Sequence, residues 1–429
     1  MKNTLFRAEF IPLPHNHKNF FNLKNINFME NIFQSLEKVQ QIDRQRKKEK
    51  IREKILSLIK QESIEIEINK SMIDSSIENE NFSKSKNLQV RKRFSQKLLI
   101  YDYLNQLPED FDPKQWLVAS VPLGNVCLLY TSNSQTMIRD RAGYFVDKFP
   151  SLLPCGSEQS LEQKPCTLEI ILDKENKQIF VIDLLTFNGR IFADDPFSFR
   201  QYWLQSKFAE IENLGKISEK YDFRLLSYNE CTEDSLLFSY FGSKIHPSQL
   251  NSNYNLDLNL NCNLSSISLG FDLKGKPFIK NGISVINSNA IYVFGNSSQY
   301  LIWRDPNICS YFKDEYQCSR IKLFYSKKGT LETQDGYYLE SDLINTNNIQ
   351  KGCCHLFNFD KIVISEEKIF ICGLRHIKEV KTRIADSLSR IEFKYRCIQG
   401  NNSNSFERLL ESIKKCSEAE EDIQEMTDY

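Results

Sequence analysis

The chain has 429 residues, enough for two or three domains with a sizeable core. Its 56 basic and 56 acidic residues cancel, which argues against a protein coated in positive charge for nonspecific nucleic-acid binding. A small nucleotide pocket is compatible with this balance, because it needs only a few well-placed groups.

The first twenty residues lack the apolar core of a signal peptide, and no run of eighteen apolar residues predicts a membrane-spanning helix. We therefore expect no membrane partner, a reducing compartment and free thiols for the twelve cysteines. One group of side chains invites a metal interpretation: Cys353, Cys354, His355, Cys372 and His376. Its spacing fits no common zinc pattern, so buried thiols are preferred and no metal is predicted.

Apolar residues recur at three- and four-residue steps between residues 31 and 60, which predicts a helical segment within residues 1–60. The middle of this segment is strongly basic, with seven basic and three acidic residues between Asp43 and Lys54. Residues 61–95 are rich in Glu, Asn and Ser, a composition typical of a flexible linker.

Short apolar runs separated by Gly, Asp and Asn follow and predict strands. The predicted strands are 116–121, 126–131, 167–172, 179–185, 283–285, 290–294, 300–303, 322–325 and 362–371. Polar residues between 172 and 179 predict a hairpin, and the spacing over 199–214 and 376–393 is helical. An Asn-rich stretch at 246–268 predicts a loop.

This pattern predicts an α+β protein with mainly antiparallel sheets. We assign residues 96–305 to a domain core and residues 306–400 to its extension. Residues 401–429 are assigned to a polar acidic tail.

Six stretches within about residues 95–305 have distinctive sequences: 116–124 (WLVASVPLG), 141–154 (with RAGY and FPSLLP), 181–190 (with VID and FNGR), 199–207 (FRQYWLQSK), 281–282 (NG) and 300–303 (YLIW). In this order they resemble the cap-binding domain of snurportins. The resemblance implies a nucleotide-binding fold like that of messenger-RNA-capping guanylyltransferases and ligases, and recognition of the trimethylguanosine cap of small nuclear RNA.

The same resemblance implies the residues that contact the cap. Trp303 falls on the tryptophan that stacks on the methylated base, a cationic ring that an indole attracts; without the resemblance, a core tryptophan would be preferred. Arg141 replaces a lysine that meets the triphosphate, although a solvated loop arginine is an equally good interpretation. A basic residue of the family is missing at Asn125, so either the phosphate contact is reduced or Arg139 or Arg190 compensates. The implied set also contains Ile100, Tyr101, Tyr103, Val121, Asn125 and Ile171. The two tyrosines are equally well interpreted as surface residues, and Val121 and Ile171 as strand core.

The related enzymes use a lysine in a Lys-x-Asp-Gly motif to attack the α-phosphate. The stretch that matches this motif is 140–143, with Asp140 at the position of the nucleophile, and Asn281 replaces a later metal-placing aspartate. We therefore predict a binding protein without catalysis or cofactor. A degenerate or active GTP-dependent nucleotidyltransferase is the alternative.

The basic N-terminal segment resembles the importin-β-binding segment of snurportins, although an ordinary solvated helix has a similar pattern. The residues implied in this contact are Arg44, Arg46, Lys47, Lys48 and Arg52. Together the two resemblances imply an adaptor that links capped small nuclear ribonucleoprotein to importin-β and moves between cytoplasm and nucleus. An exportin is a further candidate partner, and a cap-binding protein without a transport role is the alternative.

Overall fold

The computed structural model describes residues 53, 91, 94–95, 97–108, 111–242, 269–305, 308–309, 319–342, 349–364, 369–380, 384–399 and 405–427. All of them lie in one compact unit. No helix in this part of the chain is long and apolar enough to cross a membrane. The basic segment and the Asn-rich stretch predicted above fall outside the described residues, apart from Glu53.

The first sheet has six strands in the order β1-β13-β12-β2-β10, with β11 beside β12. Its strands are β1 (Leu99–Tyr103), β2 (Trp116–Pro122), β10 (Asn229–Glu230), β11 (Leu269–Phe271), β12 (Pro277–Asn287) and β13 (Gly295–Trp303). A 3-10 turn over Pro113–Gln115 leads into β2, capped by the Asp112 side chain, which accepts from the backbone N–H of Lys114. Only β1 and β13 run parallel in this sheet as described.

The second sheet has seven strands in the order β5-β4-β3-β6-β7-β8, with β9 beside β7. Its strands are β3 (Asn125–Ser132), β4 (Gln135–Asp140), β5 (Phe145–Phe149), β6 (Thr167–Asp173), β7 (Gln178–Phe187), β8 (Arg190–Ile191) and β9 (Asp222–Leu225). Strands β6 and β7 are buried along nearly their whole length, which requires cover on both faces.

Two elements cover the second sheet. On one face lies helix α1 (Phe197–Glu212), which packs Leu204 and Phe208 into the core of the sheet. On the other face lies the first sheet, whose Ile286 and Tyr300 share a cluster with Leu128 of β3 and Leu185 of β7. The two sheets therefore form a sandwich around a continuous apolar core.

Helix α2 (Glu233–Phe241) packs on β2 and begins at the cap residue Thr232, whose side chain accepts from the Ser235 N–H. Its last carbonyls are satisfied by the buried ammonium of Lys280, which donates to the Ser239 oxygen at 2.9 Å. Burial lowers the pKa of Lys280 to about 7. This contact anchors the part of β12 that precedes Asn281.

The third sheet has seven strands in the order β18-β19-β16-β15-β14-β17-β20. Its strands are β14 (Arg320–Tyr325), β15 (Leu331–Glu332), β16 (Tyr338–Ser341), β17 (Cys353–Asn358), β18 (Lys361–Ile364), β19 (Ile369–Cys372) and β20 (Arg375–Val380). Helix α3 (Leu388–Ile398) packs Ile391 into the core of this sheet. Helix α4 (Phe406–Thr427) packs Phe406 and Ile413 against the first sheet instead.

A buried ion pair joins the two sheets of the sandwich to α1. Arg200 of α1 is fully buried, and its Nε and Nη2 donate to the two carboxylate oxygens of Asp183 on β7 at 2.7 and 2.8 Å. The same guanidinium donates to the Tyr300 hydroxyl of β13 at 2.5 Å and to the Ala290 carbonyl at 3.0 Å. Such a forked, fully satisfied arrangement is the geometry in which a buried arginine is stable.

The predicted α+β class with mainly antiparallel sheets is confirmed: among the described strand pairs, all but three are antiparallel. The hairpin at 172–179 is the β6–β7 turn. Two predictions of single elements are wrong. The run 362–371 is a hairpin of β18 and β19, and the helical spacing over 376–393 covers β20 and the start of α3.

The prediction of a strand at 290–294 is also wrong, because backbone groups of this segment form hydrogen bonds outside any strand ladder. The Tyr292 N–H donates to the Ala193 carbonyl at 2.8 Å, and the Ala290 carbonyl accepts from Arg200. The segment is apolar because Ala290 and Tyr292 are buried between the sheets, not because it belongs to one of them.

We expect Asp183→Asn to lower the free energy of unfolding by about 3–5 kcal/mol, because it leaves the Arg200 charge buried without a counter-charge. Chemical denaturation of the two proteins measures the difference. The control is Glu219→Gln, which removes an exposed pair with Lys216 and should change stability little. Equal denaturation midpoints for the two variants would contradict a structural role of the buried pair.

Candidate functional site

A cavity of about 150 Å³ lies where the first sheet, the second sheet and the segment before α3 meet. Most of its walls are apolar, and its polar groups are hydroxyls, one amide and three guanidinium groups. The lining residues that lie in the first sheet or directly after its strand β13 are Ile100, Tyr101, Tyr103, Val121, Pro122, Asn281, Ser284, Ile302 and Arg304. The others are Gly124, Val126, Arg141, Ile171, Ile182, Leu226, Tyr228, Ile384, Ala385, Ser387 and Arg390.

The structure brings together six of the eight residues predicted to contact the cap. They are Ile100, Tyr101, Tyr103, Val121, Arg141 and Ile171. Asn125 does not line the cavity: it is exposed at the start of β3, although Gly124 and Val126 on either side do line it. In the Pro-x-Gly turn, the backbone of Gly124 packs closely against β6. A Cβ at Gly124 would lie 2.7 Å from the Leu172 carbonyl oxygen, so the close packing requires glycine.

The prediction that Trp303 stacks on the base does not fit the structure. Trp303 is 2% exposed and packs between Tyr240 of α2 and Phe406 of α4, with ring centroids 5.9 and 6.0 Å away. Side chains alternate along a strand, so Ile302 faces the cavity and Trp303 faces the opposite core. The stretch 300–303 is apolar on both faces, and so the sequence does not reveal which face Trp303 takes.

Arg141 lies in a tight turn after β4 that fixes its position. Gly143 has a φ of +83°, and a Cβ there would lie 2.2 Å from the Arg91 carbonyl oxygen, so only glycine fits. The Arg141 Nη2 donates to the Leu99 carbonyl at 3.0 Å, which holds the guanidinium beside β1. Asp140, in contrast, accepts from the Tyr144 N–H at 2.8 Å and does not line the cavity.

The two arginines expected to compensate for Asn125 lie elsewhere. Arg139 donates to the Tyr130 hydroxyl at 3.0 Å and lies over the Phe94 ring. Arg190 is exposed and sits over Phe192. The cationic groups that do join Arg141 at the cavity are Arg304 and Arg390. Arg304 follows the YLIW stretch, whereas Arg390 comes from α3 and carried no recognisable sequence signal.

A buried polar layer lies beside the cavity. The Glu169 carboxyl on β6 accepts a hydrogen bond from the Tyr292 hydroxyl, and burial raises the pKa of Glu169 to about 7. Burial also raises the pKa of the lining residues Tyr101 and Tyr228, an effect that the Asp183 and Glu169 carboxylates strengthen. Both tyrosines therefore stay protonated at neutral pH and present hydroxyl donors, not negative charge.

The histidine and cysteine group shows a different arrangement from a metal centre. His355 Nδ1 lies 3.1 Å from His376 Nε2, while His355 Nε2 lies 2.8 Å from the Gln350 carbonyl. Desolvation and the neighbouring His355 lower the pKa of His376. Across the described ranges, no three His, Cys, Asp or Glu side chains gather closely enough to hold a metal ion. The ten cysteines that the structure describes are free thiols.

Apolar walls, protonated tyrosines and three guanidinium groups together suit a flat aromatic ligand that carries an anionic group. Residues 97–247 match the family model described as the Snurportin1 m3G cap-binding domain. The match covers about a third of the chain and confirms the snurportin resemblance over these residues.

Solved structures to which the chain is similar include DNA ligases. One is a Lig E DNA ligase, with 13% identity over 66% of this chain and 98% of the ligase, and a TM-score of 0.29. Another is the Chlorella virus DNA ligase-adenylate, with 12% identity over 66% and 99% and a TM-score of 0.30. A third is the ligase domain of M. tuberculosis LigD, with 11% identity over 67% and 73% and a TM-score of 0.30.

We expect Trp303→Ala to destabilise the protein by about 3–5 kcal/mol, because it empties a core site between α2 and α4. Trp303→Phe, which keeps most of the buried ring, should cost clearly less. Thermal and chemical denaturation measure both. If the Trp303→Ala protein were as stable as the unaltered protein and had lost only ligand binding, Trp303 would contact the ligand. That result would contradict its position in the core.

Proposed function

We propose that this chain binds the 2,2,7-trimethylguanosine cap of small nuclear RNA without catalysing a reaction on it. The observation that carries the proposal is a cavity with apolar walls and three arginines, built largely from residues that match a Snurportin1 m3G cap-binding domain. Its volume of about 150 Å³ suits a base, so the phosphate chain would extend towards the guanidinium groups.

The apolar walls favour a base whose polar edge is methylated. Ile100, Val121 and Ile171 line the cavity with branched side chains, and Ile302 adds another from β13. Each methyl group taken from water into such a wall contributes up to about 0.8 kcal/mol. An unmethylated exocyclic amine would instead lose water without gaining a partner from these aliphatic groups.

The charged groups favour the phosphates and the methylated ring in different ways. Guanidinium groups make forked, charge-assisted hydrogen bonds to phosphate, which Arg141 and Arg304 are placed to offer. The N7-methylated ring is itself a cation, and an aromatic ring attracts it. Tyr101 and Tyr228 supply aromatic rings in the cavity wall, whereas Trp303 is buried outside it.

The basic side chains that line the cavity support a binding role without catalysis. Lysine is the nucleophile of the nucleotidyltransferases, whereas an arginine stays protonated in proteins. Among the described residues that line the cavity, the basic ones are arginines, and Asn281 stands where the enzymes carry a metal-placing aspartate. An active or degenerate nucleotidyltransferase is the alternative from a different class.

We further propose that the basic segment within residues 1–60 binds importin-β, so that the chain links capped ribonucleoprotein to nuclear import. The support is the charge pattern between Asp43 and Lys54 and its resemblance to the snurportin import segment. Movement between cytoplasm and nucleus, with an exportin for return, belongs to this proposal. A cap-binding protein without transport is the alternative.

The unaltered protein should bind a trimethylated cap dinucleotide at least about tenfold more tightly than an unmethylated one, because three added methyl groups enter apolar surroundings. Arg141→Gln should weaken binding of the trimethylated cap by about tenfold or more through loss of a charge-assisted contact. Fluorescence titration measures both effects.

Arg190→Gln is the matched control, since Arg190 is exposed and outside the cavity, and it should bind like the unaltered protein. Absence of any methyl preference would sink the proposed cap specificity. Incubation with radiolabelled GTP and Mg²⁺ tests the enzyme alternative. A nucleotidyltransferase would become covalently labelled, whereas a binding protein would not.

Removing residues 1–60 should abolish binding to importin-β and leave cap affinity nearly unchanged. Charge reversal at Arg44, Arg46, Lys47 and Lys48, with or without Arg52, should have the same effect. Because charges carry this attraction, receptor binding should also weaken as salt rises beyond physiological strength, at which the screening length is already only about 8 Å. Pull-down and titration at several salt concentrations measure these outcomes.

The control reverses two exposed charges on α4, Arg408→Glu and Lys415→Glu, which should leave importin-β binding intact. Full receptor affinity in the truncated protein would remove the transport role and leave the cap-binding domain alone.

A further inference from the structure

Helix α3 packs on the third sheet, but it also contacts strand β1 of the first sheet, which forms part of the cavity wall. The Tyr103 N–H donates to the Ser389 hydroxyl at 3.1 Å, and the Asn105 side chain donates to the Ser389 carbonyl at 2.8 Å. Phe393 is 2% exposed and packs on Tyr103 with ring centroids 4.8 Å apart. These contacts set the position of α3 against β1.

As a result, the segment leading into α3 forms one side of the cavity. Ile384, Ala385, Ser387 and Arg390 all line it. These residues lie far beyond residues 97–247, the range that matches the cap-binding domain. The site is therefore incomplete without the C-terminal part of the chain.

The charge that α3 brings to the cavity is positive. Arg390 lies 3.4 Å from the Asp386 carboxylate, but Asp386 also pairs with the Lys394 ammonium at 2.8 Å. The Asp386 carboxylate is thus shared between the Arg390 guanidinium and the Lys394 ammonium. Lys394 is buried against the third sheet, so Arg390 is the member that reaches the cavity wall.

Arg304 approaches the same place from β13. The guanidinium carbons of Arg304 and Arg390 lie 5.4 and 5.8 Å from the centre of the Tyr103 ring, and Arg304 Nη1 donates to the Tyr103 hydroxyl at 3.1 Å. Two guanidinium groups are thus positioned around one side chain of the cavity wall. A phosphate chain leaving the cavity has the charge and the acceptor oxygens for this position.

We propose that Arg390, together with Arg304, contacts the phosphate chain of the bound cap, so that helix α3 completes the cap site. The inference rests on the proposed cap-binding function. It assigns a ligand-binding role to Arg390, which lies outside the matched residues 97–247.

The test compares two ligands, the trimethylguanosine nucleoside and the trimethylated cap dinucleotide, by fluorescence titration on the full chain. Arg390→Gln should weaken binding of the dinucleotide by about tenfold and change nucleoside binding by less than about twofold, since only the dinucleotide carries phosphates. Arg390→Lys, which keeps the charge but loses the fork, should lie in between. The control is Arg375→Gln, which removes the exposed ion pair between Arg375 of β20 and Asp360.

Equal losses for nucleoside and dinucleotide in Arg390→Gln would overturn the proposal, because they would mean that Arg390 only supports the cavity wall. Unchanged dinucleotide affinity would overturn it as well. If Arg390→Gln does not fold, Arg390→Lys replaces it in the test. The proposal then requires that Arg390→Lys weaken binding of the dinucleotide more than binding of the nucleoside. Failure of the unaltered protein to bind either ligand would overturn the proposed function and the inference with it.

Discussion

The buried ion pair of Arg200 and Asp183 is the contact on which the architecture around the cavity depends. It joins α1, β7, β13 and the segment at Ala290 through one guanidinium, and a buried cation of this kind is tolerated only when its partners are complete. Three of the stretches that resemble snurportins contain its members: Asp183, Arg200 and Tyr300. Part of the resemblance therefore lies in residues that, in this protein, hold the two sheets together.

The cavity is a consequence of that arrangement. Once the sheets are fixed, alternation along β13 sends Tyr300 and Ile302 to one side and Leu301 and Trp303 to the other. The second side is closed by α2 and α4, whereas the first stays open to a ligand. Arginines then gather at the open side from three parts of the chain, and the polar layer containing Glu169 lies beside it.

Much of the fold could be predicted from the sequence, because β6 and β7 are long apolar runs with a clear turn between them. Six cavity residues were also predicted, since Arg141 and the residues of β1 lie inside or beside recognisable stretches. Trp303 and Arg390 could not be placed. The first depends on which face of a doubly apolar strand is covered by α4, and the second on the packing of a distant helix against Tyr103. Both are tertiary facts that local spacing does not encode.

The central claim is that the base of the cap occupies the cavity between β1, β13 and the segment before α3. A crystal structure of the full chain with a trimethylated cap dinucleotide tests it most directly. The account predicts density for the methylated base against Ile171, Tyr101 and Ile302, with phosphates beside Arg304 and Arg390. Density for the base at any other surface, with this cavity unchanged, would contradict the account.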